Sequence, residues 1–332
     1  MTSARGQRSA PAPAEVGLGK PQDVSASTTA TEQARARIDQ QLRALLSHQD
    51  GAREGKDPEE LHQFRVAIRR LRSVLKAMPS LTGEVRLTTA TRPAEQSPVD
   101  RYTAADLRDE LRWLADLSSP VRDLDVLLLR LRAETAGFDE DELAAAEQLM
   151  SALVRERGTH RMALGRALSS ARYQAMLTGL AALANGDGDG EQAPLTATTF
   201  VSSLRRPYQA LRKAIDELGD DPADDRVHEL RIKGKRLRYT AETALPAAKK
   251  SDAKQLTKLI KATQRLQDVL GEHQDAVVAA QRVRELGAAQ EDPLVAVIAG
   301  RLVEREMARR AQARAELPAR CRKVLKQSKP LV

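Results

Sequence analysis

The chain has 332 residues, enough for two domains or one duplicated domain, and its 54 lysines and arginines against 46 acidic residues give a formal net charge of +8. The excess lies in the second half of the sequence and favours a polyanionic partner. A single cysteine excludes an internal disulfide framework, no apolar run approaches the roughly 20 residues of a membrane-spanning helix, and a handful of aromatic residues offers little surface for stacking bases.

The N-terminal segment is rich in Ala, Pro, Ser, Thr and Gly and lacks the apolar core of a signal peptide. We expect a disordered leader there. We also expect the protein to be cytoplasmic and not to bind membranes. Leu, Ala, Arg and Glu dominate the remaining chain, which predicts an all-α fold. The expected parts are a leader, a first helical half, a Gly/Asp linker, a second helical half and a basic tail, at residues 1–30, 31–185, 186–195, 196–318 and 319–332.

The first half opens with a predicted helix from about Glu32 to His48 and a turn around Gly51–Gly55. Asp57-Pro58 has the form of an N-cap followed by proline at the first helical position, and the helix that it starts should end near Met78. The stretch Leu81–Asp100, with its prolines and threonines, indicates a loop or an insertion.

Helical periodicity resumes near Ala104, and we expect Ser118-Ser119-Pro120 to interrupt it. Asp139 should cap a further helix that runs to about Leu168, and a shorter helix should cover Ala171–Ala184. The breaker Asn185–Gly190 predicts a flexible linker between the halves. Its alternating aspartates resemble a calcium-binding EF-hand loop only superficially, because the glutamate required at the twelfth position is missing.

The second half repeats this scheme with four predicted helices and a frayed basic end. The first should carry a kink at Pro207, and the turn at Asp221-Pro222 should lead into the second. The predicted helices and the frayed end are Thr199 to about Leu218, a helix ending near Leu245, a long helix through Leu266–Asp275, a last helix from Pro293 to Glu316, and the tail Pro318–Val332.

One phrase occurs twice, starting at Leu61 and again 166 residues later at Val227: apolar-His-x-x-Arg-apolar-x-x-(Arg/Lys)-Arg-Leu-Arg. On a helix the +3 and +4 spacing places its cations in a strip roughly 80° wide beside an apolar arc. The first basic ladder consists of His62, Arg65, Arg69, Arg72 and Lys76, and the second of His228, Arg231, Lys235 and Arg238. A third ladder, Lys254, Lys258, Lys261 and Arg265, follows on a later helix. Arg70 and Arg236 point more sideways and are second-rank candidates.

These ladders have two readings. A solvated basic face is common on amphipathic helices, but such faces normally mix signs because like charges at i,i+4 repel. The ladders carry almost no acids and favour arginine, whose forked guanidinium suits phosphate oxygens. We therefore expect the ladders to bind an anionic ligand.

The two ladder histidines also have two readings. A bound polyanion would favour the protonated form of His62 and His228, so that protonation and binding are coupled. Alternatively, each is a neutral histidine bonded to a neighbouring helix. A metal site shared with Asp123 and Asp275 is disfavoured, because the sequence has no His-x3-His or cysteine cluster. We expect no metal or cofactor, and we expect these two aspartates, with Arg122, to support the ladder arginines.

A second phrase also recurs, at an offset of 152: Leu114-Ala115-Asp116-Leu117 with Val121-Arg122-Asp123, and Leu266-Gln267-Asp268-Val269 with His273-Gln274-Asp275. The four phrases, in this order, resemble the CHAD domain, the conserved histidine α-helical domain, over about residues 32–318. The resemblance implies two four-helix bundles related by a pseudo-twofold, with a basic central channel or cleft between them that binds inorganic polyphosphate. No Glu-x-Glu-x-Lys strand of a triphosphatase domain is present, so the chain resembles the stand-alone members associated with polyphosphate granules.

The chain departs from the family pattern at Gly234, at Ser118-Ser119-Pro120 and in the length of Leu81–Asp100, which affects loop geometry more than binding. The expected function is polyphosphate binding. The alternatives are a non-specific nucleic-acid binder, which the scarcity of aromatics disfavours, and an enzyme that handles phosphate. We expect no enzymatic activity, because clustered carboxylates for Mg²⁺ are not evident on the ladder faces. The pattern does not define an oligomeric state.

Overall fold

A computed structural model of the chain describes residues 10–21, 30–77, 85–86, 101–186, 204–245, 248 and 250–328. Within these ranges the fold is all-helical apart from one short strand pair, which confirms the predicted all-α class. The internal duplication, the pseudo-twofold and the basic channel stay predictions. None of the helices in these ranges combines the length and the apolar character needed to cross a membrane.

The described residues before the predicted linker form five helices, together with a 3-10 turn at Pro13–Val16. They are α1 (Ala30–Glu54), α2 (Pro58–Ala77), α3 (Ala104–Glu134), α4 (Glu140–Leu168) and α5 (Ala171–Asn185). Two short strands, β1 (Val85–Arg86) and β2 (Arg101–Tyr102), pair antiparallel. The helices after the linker are α6 (Arg205–Asp216), α7 (Asp224–Ala244), α8 (Lys250–Ala288) and α9 (Pro293–Ser328).

These elements form two compact units, each with its own core. The first contains the described residues of Met1–Leu128 and Leu153–Leu195, and the second those of Leu129–Ala152 and Thr196–Val332. The last turn and a half of α3 and the first half of α4 therefore pack in the second unit. The predicted division of the sequence into halves at residue 185 does not assign these parts of α3 and α4 to the second unit. The internal duplication itself stays a prediction.

The core of the first unit holds α2 by its apolar arc. Phe64 and Leu71 of α2 are fully buried and pack in one cluster with Leu42 of α1, Leu111 of α3 and Tyr173 of α5. Each fully buried side chain of this size contributes about 1.5–3 kcal/mol through removal from water. Because the apolar arc is fixed in this way, the neighbouring basic ladder is left along the edge of the helix.

The core of the second unit fixes α7 in the same manner, with Leu230 and Leu237 fully buried against Leu266 of α8. Gly234 lets the two helices approach closely, since a Cβ there would lie 3.1 Å from Nε2 of Gln267. The amide of that glutamine donates to the Arg231 carbonyl at 3.4 Å. The glycine thus has a packing role at the point where α7 crosses α8.

Sequence signals for helix starts are confirmed. The Asp57 carboxylate accepts a hydrogen bond from the Glu59 N–H at 2.8 Å at the start of α2. At the start of α4, Asp139 accepts from the Glu142 N–H and Glu142 accepts from the Asp139 N–H, which is a capping box. The predicted turn at Gly51–Gly55 is too early, because α1 continues to Glu54 and only Gly55 has the positive φ, of 65°, that turns the chain.

The predicted interruption at Ser118-Ser119-Pro120 is wrong. Helix α3 runs continuously through Pro120 to Glu134. An interior proline costs about 3 kcal/mol in a helix. Leucines before it and Val121 directly after it are fully buried, and burial on both sides outweighs that cost.

Both ends of the chain hold more structure than predicted. Residues 10–21 belong to the expected leader, yet Val16 and Leu18 are buried in the first core, and the Ala10 N–H donates to the Asp50 carboxylate. The expected frayed tail is helical to Ser328, because Val324 on its inner side is fully buried. Local polarity predicted disorder in both places, and burial of a few apolar side chains decides otherwise.

Several predictions fall outside the described residues. These are the end of the first ladder helix near Met78, most of the Leu81–Asp100 insertion, the linker beyond Gly186 and the start of the helix predicted at Thr199. In the insertion only Val85–Arg86 is described, paired with Arg101–Tyr102. Pro207 lies in the first turn of α6 as described, where a proline needs no hydrogen-bond partner, so no kink results there.

Candidate functional site

The first ladder lies along α2 in the first unit, beside the buried apolar arc of that helix. His62, Arg65 and Arg72 are half-buried, whereas Arg69, Arg70 and Lys76 are exposed. The first ladder therefore combines half-buried and exposed cations in one row.

Arg65 is the ladder residue with the most extensive support from a neighbouring helix. Its Nη1 donates to the Ala115 carbonyl at 3.3 Å and to Ser118 Oγ at 3.1 Å, and its Nη2 donates to Ser119 Oγ at 3.2 Å. Burial lowers the pKa of Arg65 from its ordinary value; Asp123 opposes this shift, and Arg122 adds to it. The guanidinium is therefore held in place in surroundings that do not neutralise it.

The supporting residues predicted on α3 lie around the same point. Ser119 Oγ donates to Asp123 Oδ2 at 3.2 Å, so that the Asp123 carboxylate reaches Arg65 through one hydroxyl. Arg122 Nη1 donates to the Pro58 carbonyl at the start of α2, at 3.2 Å. Helix α3 therefore holds both the first turn of α2 and its first ladder arginine.

The remaining cations of α2 have no carboxylate partner within the part of the chain that the structure describes. Among the residues that the structure describes, none of Arg69, Arg70, Arg72 and Lys76 lies within ion-pair distance of an acidic side chain. Arg72 in addition has its Nε buried without a hydrogen-bond partner. Buried polar groups are usually hydrogen-bonded, and an exception calls for an explanation such as a water molecule, an ion or a bound ligand.

The second ladder lies along α7 in the second unit. His228 is exposed, and its Nδ1–H donates to Gln274 Oε1 of α8 at 2.7 Å. This contact agrees with the hypothesis that the histidine bonds to a neighbouring helix. Arg231 is half-buried, and its Nη2 lies near Gly271, 3.9 Å from where a Cβ would be. Its Nε is buried without a partner.

Further along α7 the ladder is partly compensated. Arg238 lies over the ring of Tyr239, 5.1 Å from its centroid, and its Nε is 3.3 Å from Glu242 Oε1 without the alignment of a hydrogen bond. Lys235 is half-buried and Arg236 is exposed. The second ladder therefore has Arg231 as its most available half-buried cation.

The third ladder is a more exposed surface than the other two. Lys254, Lys258, Lys261 and Arg265 are all exposed on α8, opposite its buried side. Within the described ranges none of the four meets a carboxylate at ion-pair distance. The predicted supporting residue Asp275 is exposed on the same helix, two turns beyond Gln267. For this ladder the geometry favours neither of the two readings.

Other half-buried arginines of the chain contrast with the ladders. Arg130 donates to Glu306 and Glu272, and Arg157 donates to Asp125 at 3.1 Å. Burial alone would lower the pKa of Arg130, but its hydrogen bonds to the two glutamates outweigh burial and raise it above the ordinary value. These two half-buried guanidiniums therefore have carboxylate partners, whereas Arg65 and Arg231 have none among the described residues.

Sequence analysis missed two charged clusters. In the first unit Asp125 is buried and is approached by Arg157 and Arg161 of α4. In the second, buried His273 lies 3.1 Å from Asp224, which also pairs with Arg310 and Arg314 of α9. Spacing on single helices does not reveal either cluster, because its members come from different helices. No group of three or more His, Cys, Asp or Glu side chains in the described chain is arranged to hold a metal ion.

Comparison with known proteins places this arrangement in a family. Two uncharacterised proteins of Mycobacterium tuberculosis, Rv2226 and MT2285, are 32% and 31% identical to this chain over 235 residues, which is 66% of the chain but 39% of each relative. The chain therefore matches about two fifths of the length of these curated relatives.

Two solved structures share the fold. A CHAD domain from the plant Ricinus communis is 26% identical, with 97% of each chain covered and a TM-score of 0.62. PptA from Streptomyces chartreusis is 19% identical, covers 89% of this chain and 100% of its own, and has a TM-score of 0.59. The CHAD domain family model matches residues 36–284, which contain all three ladders. This match extends over more than half of the sequence, and the chain belongs to the CHAD domain family.

Proposed function

We propose that this protein binds inorganic polyphosphate through the basic ladders of α2 and α7. The observation that carries the proposal is the scarcity of carboxylate partners along the ladders. Half-buried and exposed arginines lie in rows on these helices, and Arg65 and Arg231 have no carboxylate partner among the described residues. The half-buried Arg130 and Arg157, by contrast, are each paired with a carboxylate. Membership of the CHAD family supports the same ligand.

The physical basis is the exchange of counterions. A polyphosphate carries closely spaced negative charges and no bases, so a row of cations replaces its counterions without reading a sequence. By analogy with nucleic acids, each phosphate neutralised makes binding more sensitive to salt. Arginine adds directional bonds, because its fork fits two phosphate oxygens at once. The free protein holds like charges together, and we expect a bound polyanion to stabilise it.

The test is a titration of the full chain with polyphosphate of defined length at fixed ionic strength. We expect Arg65→Ala and Arg231→Ala each to weaken binding about tenfold, the loss typical of one good ionic contact. Arg166→Ala and Arg322→Ala remove the same charge from exposed positions outside the ladders and serve as matched controls. Equal losses in ladder and control variants would show that only net charge matters, and would contradict the proposal.

Nucleic-acid binding is the second candidate, favoured only by the net charge of +8. Few aromatic side chains are available to stack bases. The two candidates separate in a competition measurement with duplex DNA and polyphosphate at equal phosphate concentration. We expect polyphosphate to remain bound; displacement by DNA would assign the ladders to nucleic acid instead.

We further propose that the protein is not an enzyme and that it acts in the cytoplasm at polyphosphate granules. The ladders supply cations to hold an anion, and the described residues contain no cluster of acidic side chains that would hold Mg²⁺ against it. Incubation of polyphosphate with the protein and Mg²⁺ should release no phosphate, and release would overturn this part. A fluorescent fusion should follow the granules in cells, and a ladder variant should not.

A further inference from the structure

The segment Ser118-Ser119-Pro120 has a role that the helix pattern did not suggest. We propose that Ser118 and Ser119 are positioning residues that hold the Arg65 guanidinium in place by neutral hydrogen bonds, so that its full charge stays available to a phosphate ligand. The choice of ligand rests on the proposed function; the positioning itself does not.

The geometry accounts for most of the donors of Arg65. Three acceptors on α3 surround the guanidinium, at 3.1 to 3.3 Å: the hydroxyls of Ser118 and Ser119 and the Ala115 carbonyl. Ser118 is itself fixed, since it is fully buried and donates to the same carbonyl at 3.1 Å. An arginine with this many bonds loses little further freedom when a ligand binds, which lowers the entropic cost of binding.

All three acceptors around the Arg65 guanidinium are electrically neutral groups. A carboxylate in the place of Ser119 would hold the guanidinium as firmly, as Glu306 holds Arg130, but would cancel its charge. Here Asp123, the acidic residue predicted to support this ladder, accepts a hydrogen bond from the Ser119 hydroxyl at 3.2 Å. The hydroxyl therefore lies between the carboxylate and the Arg65 guanidinium. The carboxylate orients the hydroxyl without forming an ion pair with Arg65. The arrangement separates orientation from neutralisation.

The second ladder supplies an internal comparison. Arg231 stands at the position of Arg65 in the repeated phrase, and Gly271 stands at the position of Ser119 when the second phrase is aligned at its offset of 152. Arg231 Nη2 indeed faces Gly271, at 3.9 Å from an added Cβ. The same contact therefore exists without the hydroxyl, so Arg65 is held at this position and Arg231 is not.

A double-mutant cycle tests the proposal on the full chain. We expect Ser118→Ala/Ser119→Ala to weaken polyphosphate binding about threefold to tenfold, the worth of hydrogen bonds to a charged group. In an Arg65→Ala background the same pair should add nothing, because its effect passes through that arginine. Ser119→Thr keeps the hydroxyl and should bind as the wild type does. Ser169→Ala removes a hydroxyl bonded only to its own helix and is the control. If Ser118→Ala/Ser119→Ala weakened polyphosphate binding as much in the Arg65→Ala background as in the wild type, the proposal would be overturned.

A measurement without ligand separates this inference from the proposed function. Side-chain NMR of the Arg65 Nε–H reports its mobility, which should rise in Ser118→Ala/Ser119→Ala and stay unchanged in Ser169→Ala. Gly271→Ser should have the opposite effect on Arg231, since an added hydroxyl at ordinary contact distance can accept from its Nη2. If neither arginine changes its mobility, the positioning role is wrong whatever the protein binds. If both change but no polyphosphate binds, only the proposed function fails.

Discussion

Arg65 and Arg130 show two ways in which this chain covers a guanidinium. Arg65 is bonded to hydroxyls and a carbonyl, whereas Arg130 donates to Glu306 at 2.6 Å and to Glu272 at 2.8 Å. A charge without a counterion destabilises the folded protein, and that cost is tolerated where a ligand supplies the counterion. This difference between the environments of Arg65 and Arg130 is the basis for proposing that the ladder binds an anionic ligand.

The Arg130–Glu306 pair gives a prediction for stability. The Glu306 side chain is fully buried, so Glu306→Gln leaves Arg130 without its main partner. We expect the free energy of unfolding, measured by urea denaturation, to fall by about 3 kcal/mol. Glu147→Gln breaks an exposed pair with Arg132 and should cost less than about 1 kcal/mol. Similar losses in the two variants would contradict the structural role assigned to Arg130.

His273 gives a prediction for pH. Burial lowers its pKa below the ordinary value of 6.5; Asp224 opposes the shift, and Arg314 and Arg310 of α9 add to it. The Arg314 Nε–H donates to His273 Nε2 at 3.2 Å when the neutral ring carries its proton on Nδ1, whereas the protonated ring donates from Nε2 to Asp224 Oδ1 at 3.1 Å instead. A lowered folded-state pKa means that the unfolded chain binds the proton more readily, so stability is lost as the pH falls below about 6.5.

We therefore expect unfolding free energies measured at pH 7.5 and pH 5.5 to differ more for the wild type than for His273→Gln, which cannot titrate. The neighbouring Asp224 does not confound this window, because burial, which raises its pKa, is outweighed by Arg310 and Arg314, and the pKa lies below its ordinary 3.8. An identical pH dependence for the two proteins would show that His273 does not carry the effect.

At the scale of helices, short-range signals predicted where elements begin but not how far they extend. Asp57 and Asp139 cap α2 and α4 as expected, because a cap depends on neighbouring residues only. Pro120 does not end α3, and residues 10–21 are not a disordered leader, because both depend on apolar burial against other parts of the fold. The ladders were visible in the sequence, since they follow helical spacing. Ser118 and Ser119 as partners of Arg65 were not, since that contact joins two helices.

The N-terminal segment allows a direct test of such burial. Leu18 is 5% exposed and packs in the first core. Leu18→Ala should lower the free energy of unfolding by about 2 kcal/mol. The matched variant Leu129→Ala acts on a leucine that is 68% exposed and should change it by less than about 0.5 kcal/mol. Equal effects would mean that the segment does not pack in solution as described.

For the whole molecule, the net charge of +8 is less informative than where the charges go. Many cations are neutralised inside the units: Arg130 by two glutamates, and Arg310 and Arg314 by Asp224. The first ladder keeps its charges on one helix edge of the first unit, and Arg231 keeps its charge in the second. The family match extends over both units. Binding energy is thus expected from a few defined rows of cations and not from the surface as a whole.

The central claim is that ladder cations replace counterions of a polyphosphate chain. It is tested most directly by the dependence of the dissociation constant on salt concentration. Arg69→Ala/Arg72→Ala removes two ladder cations that have no acidic partner among the described residues, and Arg166→Ala/Arg322→Ala removes two exposed cations outside the ladders. The account predicts that the log–log salt slope of the ladder variant falls by about one unit per lost contact, while that of the control variant matches the wild type. Equal slopes for all three proteins would contradict it.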